Sequence, residues 1–179
     1  NPLDWDYSPT TETAIQAVAG NNTDAGKSPD IINSMCPYND DVLIFFGDHT
    51  IHQMTGDPAE GGRIDLVSST IGGAWGRCWA KAPDGAVYFY GSRGGVYRMA
   101  PGGSPPESIT EGAIEEKFKS INMNTTLVRL IWSDREKGLY VFLTPLDGSA
   151  TTNYFFDARS GSWWLDKFTT AGHNPTSVL

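Results

Sequence analysis

The sequence predicts an all-β protein of the β-propeller kind, built of four-stranded antiparallel blades with one short inserted helix. Three observations carry this reading. A hairpin pattern is written three times, as DVLIFFGDHTIHQM (Asp41 to Met54), DGAVYFYGSRGGVYRM (Asp84 to Met99) and KGLYVFLTPLDGSATTNYFFD (Lys137 to Asp157). Each copy has an acidic or Gly-marked start, an apolar run, a polar turn and a second short strand. Aligned on Val42, Val87 and Leu139, the copies stand 45 and 52 residues apart, a spacing that suits a repeat of four short strands. Twenty Gly and eleven Pro supply the punctuation that many short strands require. The runner-up is a β-sandwich of the same strands, which differs in whether each repeat forms its own sheet.

Composition narrows the class. At 179 residues and 39% apolar, the chain is long enough and apolar enough to bury a core. The 13 basic and 21 acidic residues leave a net charge of −8, the wrong sign for gripping a phosphate backbone. No apolar run approaches the ~20 residues of a membrane helix. Cys36 and Cys78 fall in different repeats with no CxxC spacing, so neither a disulfide framework nor a zinc site is indicated. The chain opens on Asn1-Pro2-Leu3-Asp4-Trp5, without an initiator Met or a signal-peptide pattern. That opening is expected to be the middle of something longer.

The elements follow in order. Asn1 to Ser8 reads as a turn and alternating aromatics, with Trp5 and Tyr7 on one face. Ala14 to Ala19 fits either a helical turn or a strand, ended by the cluster from Asn21 to Gly26. The first blade, residues 31–69, has strands at Ile31 to Cys36, Val42 to Gly47, Thr50 to Met54 and Arg63 to Ser69. A loop carrying Asp57 and Pro58 joins the last two.

The second blade, residues 77–110, has strands at Arg77 to Ala82, Ala86 to Tyr90 and Gly95 to Ala100, turning first at Asp84-Gly85. Pro101 to Pro106 then breaks the chain. A short amphipathic helix is expected within 113–121. Its stripe is Ile114, Phe118 and Ile121, with acids first and lysines later, as the helix dipole favours. This insertion lengthens the second spacing, and its stripe is the expected contact with another subunit. The third blade, residues 127–168, has strands at Leu127 to Ser133, Leu139 to Thr144, Thr152 to Asp157 and Trp163 to Phe168. The whole, 1–179, reads as one propeller domain or a fragment of one.

Few residues are placed for chemistry. His49 and His52 are three apart across a hairpin turn, so one turn position and one outward strand position are expected rather than a shared metal. His173 has no partner nearby in sequence. Asp40, Asp41, Asp48 and Asp57 read as turn acids, because a short carboxylate bonds nearby backbone N–H groups. No D-x-D-x-D-G calcium loop, no nucleophile elbow and no phosphate-binding glycine motif is present. Asp157, Gly161 and Trp163 describe a tight turn whose Asp caps the backbone and whose Trp packs between blades. It is similar to the turn of kelch repeats, and loosely to the Asp-box of sialidase propellers, although Phe155 stands where that box has Ser. No catalytic residue, metal or cofactor is expected. Loops such as Gly47-Asp48-His49 and Gly91 to Gly95 offer the alternative, a propeller that binds or hydrolyses carbohydrate.

Several stretches together resemble β-propeller structural proteins of tailed bacteriophages. They are NPLDWDYS, the YNDDVLIF hairpin start, the M-T-G-D-P loop with its following Gly-Gly, and the PDG-x-x-Y-F turn. The resemblance covers most of Asn1 to Met99, and more weakly Val128 to Phe168. It implies a non-enzymatic component of the virion, in a tail, nozzle or head-to-tail position. The implied partners are copies of the same chain in a ring and other virion proteins, with genomic DNA passing nearby but not read by sequence, and no membrane. Three blades are fewer than a closed ring usually has. Either the chain is part of a longer protein, or a neighbour completes the ring.

Overall fold

The computed structural model describes residues 30–57, 61–166 and 175. The expectations for Asn1 to Lys27, Pro58 and His173 lie outside these residues. The described chain is nearly all-β, with three four-stranded antiparallel sheets and one short helix. The first sheet is a meander of β1 (Ile32–Pro37), β2 (Val42–Gly47), β3 (Ile51–Thr55) and β4 (Arg63–Ser68). The second is β5 (Trp79–Lys81), β6 (Val87–Tyr90), β7 (Val96–Met99) and β8 (Glu107–Ser108). Helix α1 (Glu115–Lys119) follows. The third sheet is β9 (Thr126–Ser133), β10 (Gly138–Pro145), β11 (Asn153–Asp157) and β12 (Ser162–Asp166). Each repeat therefore forms its own sheet. β8 is only two residues long. It follows Pro105-Pro106, which have no N–H to donate to a ladder.

The second sheet lies between the other two, and its central strand shows it. Every residue of β6 is buried. A strand covered on both faces reads as a continuous apolar run rather than an alternation. Val87, Phe89 and Met99 join Cys36, Ile44, Phe46 and Ile51 of the first sheet in one core. Tyr88, Tyr90 and Val96 join Leu139, Val141 and Tyr154 of the third sheet in another. The rings of Phe46 and Phe89 meet at 4.9 Å across the first junction. Tyr88 stacks on Trp132 at 5.4 Å across the second. Burying each such side chain contributes roughly 1.5–3 kcal/mol, which makes these junctions the main source of order between sheets.

The register of the repeat differs from expectation by one residue. Val42 packs toward the second sheet, with Ile44 and Phe46. Val87 packs in the opposite sense, back onto the first sheet. The residue equivalent to Val87 is therefore Leu43, and the first spacing is 44 rather than 45. Both faces of β2 are apolar, so the pattern alone does not distinguish neighbouring positions.

The second and third sheets approach most closely at their first strands, β5 and β9. Helix α1 occupies the space between them near β6 and β11. Phe118 is fully buried there, against Tyr154 at 4.9 Å, Trp163 at 5.5 Å and Tyr90 at 5.8 Å. Ile114 and Ile121 pack on the same core. Of the stripe expected in a subunit contact, Phe118 is covered by the chain's own sheets, while Ile114 and Ile121 stay partly buried. A five-residue helix needs such cover, because one turn is not stable alone.

Candidate functional site

The turns singled out from sequence all act on backbone geometry. Asp84 accepts the Ala86 N–H at 2.9 Å through Oδ1, and Gly85 has φ +83°, where a side chain is strained. The Gly85 carbonyl accepts the Tyr38 hydroxyl at 2.9 Å, which pins this turn to the first sheet. Asp57 accepts the Gly62 N–H through its carbonyl at 2.7 Å. Asp157 accepts the Gly161 N–H through its carbonyl at 2.9 Å, with Gly161 at φ +68°. The Asp157 carboxylate takes the Arg159 guanidinium and N–H, which hold it below the usual carboxylate range. Trp163, at the start of the next strand, donates its indole N–H to the Ile109 carbonyl at 2.9 Å. It also packs on Phe118 and Phe156, and so crosses between the second and third sheets.

Two loops considered for ligand binding do meet. The Ser92 hydroxyl donates to the Asp48 carbonyl, and the Gly73 N–H donates to the Gly47 carbonyl at 2.9 Å. A Cβ at Gly72 would stand 2.2 Å from that Gly47 oxygen, so glycine here serves close backbone approach. Asp30 closes the same turn. Burial pushes its carboxyl up, but N–H groups of His49, Thr50 and Ile31 and the Thr50 hydroxyl bond it and hold it below the usual range. The contacts are those of a structural clamp.

The histidines do not converge. His49 is a half-exposed turn residue beside Asp30 and Asp48. His52 is in register with Phe45 and Leu66, on the outer face of the first sheet as expected, yet it is buried. Among the described residues no three His, Cys, Asp or Glu side chains are grouped to hold a metal. Cys36 and Cys78 are buried free thiols in the two separate cores, and burial pushes each up to about 12.

Two surfaces escaped the sequence reading. The first is a cleft of about 450 Å³ between β5 and β9. Trp79, Trp132, Arg77, Lys81 and Asp134 stand on its wall. Arg77 lies over the Trp79 ring at 5.4 Å, and the Trp132 indole donates to Asp134 at 3.1 Å. The second is the pair of outer sheet faces. On the third sheet, Ile131, Tyr140, Phe155 and Trp164 form one cross-strand row. On the first, Met35, Phe45, His52 and Leu66 form another. Trp164 is 61% exposed, Leu66 57% and Met35 56%. The other members of the rows are less open: Phe45, Ile131, Tyr140 and Phe155 are partly buried, and His52 is buried. The available signal was the unbroken apolar run in β2 and β10, where a one-sided strand would alternate.

No protein-family model matches the chain, and a search of curated proteins returned no match.

Proposed function

We propose that this chain is a structural component of a tailed-bacteriophage particle, built as part of a β-propeller and acting through assembly. The observation that carries this reading is the state of the stack's two ends. Large apolar side chains are exposed there, on faces equivalent to those buried at both internal junctions. A surface of that kind is explained by a protein partner rather than a reacting small molecule. Three like meanders, with first strands closest at the second junction, support blades around an axis. The sequence resemblance supports the phage setting. The net charge of −8 suits a part that lets DNA pass without holding it. The partners in this reading are copies of the chain and other virion proteins, with no cofactor. Mass spectrometry of purified particles tests it. The chain is expected in particles at a fixed ratio to the other virion proteins. Its presence in host extracts and absence from particles would refute the reading.

The cleft between β5 and β9 favours a second reading, a propeller that holds or hydrolyses carbohydrate. Two tryptophans offer apolar faces to a sugar ring, and Arg77, Lys81 and Asp134 offer polar groups. Binding on a glycan array that is lost in Trp132→Ala supports it. A hydrolytic rate lost in Asp134→Asn would displace the purely structural reading.

A further inference from the structure

The three sheets obey one stacking rule. Ile44 and Phe46 of the first sheet are laid on the second. The equivalent residues 44 positions later, Tyr88 and Tyr90, are laid on the third. A further 52 positions on, Tyr140 and Phe142 hold the same places on the third sheet's outer face. The receiving faces follow the same offsets. Val87 and Phe89 receive the first sheet, and Leu139 and Val141 receive the second. Their equivalents in the first sheet are Leu43 and Phe45, on its outer face. One end of the stack is thus a covering face and the other a receiving face.

We infer that these two faces are the halves of a single interface between copies of this chain. The outer face of the third sheet of one copy seats on the outer face of the first sheet of a second copy. Two such contacts close a ring of six sheets. This rests on the propeller reading above. Propellers typically have about four to eight blades, and two copies of the three described sheets fall in that range. A head-to-tail contact that closes in this way uses up both faces, whereas one that does not close makes fibres. The covering face has the expected anatomy, with Tyr140 and Phe155 beside a charged rim of Arg135, Glu136, Arg159 and Asp166.

The test is native mass by light scattering of the 179-residue protein. Wild type is expected at twice the 19.5 kDa chain mass. Trp164→Glu spoils the covering face and Leu66→Lys the receiving face, and each variant alone is expected at the single-chain mass. Both positions are more than half exposed, so circular dichroism should show the fold retained. Mixing the two variants should restore the dimer. One junction then sets Glu against Lys, and the other is wild type on both sides. A monomeric wild type would overturn the proposal. A dimer that survives Leu66→Lys but not Trp164→Glu would overturn it in favour of like-on-like pairing. Mass rising with concentration beyond two chains would overturn closure. If a variant fails to fold, the wild-type mass still decides. Particle composition is read separately, so loss of this proposal and loss of the virion reading are distinct results.

Discussion

Trp163 and Ile109 join the last two sheets through one hydrogen bond, from indole N–H to carbonyl oxygen at 2.9 Å. The bond spans 54 positions and ends on the segment just after β8. Trp163→Phe should keep the ring contacts to Phe118 and Phe156 while leaving the carbonyl without its donor. The expected loss is about 0.5–1.5 kcal/mol in chemical denaturation. Trp163→Ala should cost clearly more, because both ring contacts go as well. Equal losses for the two variants would contradict a bonded, packed indole.

Phe118 is the peg of the α1 insertion. Phe118→Ala should destabilise the chain by about 3–5 kcal/mol, read from the denaturant midpoint. Phe118→Asp should unfold it, since an unpaired charge would enter a dry aromatic pocket. A folded Phe118→Asp variant that merely fails to assemble would return this residue to the role of a subunit contact.

Acid stability should depend on Asp30. Its folded pKa lies below the ordinary value of 3.8. A depressed carboxyl stabilises the fold above the unfolded pKa, and the gain is lost as pH falls through the folded one. Thermal midpoints should therefore drop below about pH 4, and Asp30→Asn should flatten that drop while lowering stability at neutral pH. An unchanged acid limb in Asp30→Asn would show that the clamp does not couple to folding.

The two thiols should be silent in the native protein. Cys36 and Cys78 are buried, and each is pushed up to about 12, so little thiolate exists at pH 8. A chromogenic disulfide reagent should find almost none in the folded chain and both after denaturation. Rapid native reaction, or a missing thiol after denaturation, would contradict the separate buried placements.

The strands were legible because turn chemistry and apolar runs marked them. Asp84 accepts a backbone N–H in its turn, and Gly85 and Gly161 have positive φ, a chemistry that leaves few residue choices and so marks a turn in the sequence. The faces were not legible. Val42 and Leu43 are both apolar because both sides of β2 need cover, so a period-two argument had nothing to separate. The helix stripe was read correctly as apolar, but sequence does not say which surface covers it. Trp164 and Leu66 were missed for a related reason: an apolar residue on an edge strand looks the same whether it faces a core or solvent.

The most direct measurement is a near-atomic map of the purified protein in solution. It should show six four-stranded meanders around one axis, with Trp164 of one protomer against Leu66 of its partner. A three-sheet monomer, with Met35, Leu66 and Trp164 open to solvent or covered by its own chain, would contradict the account.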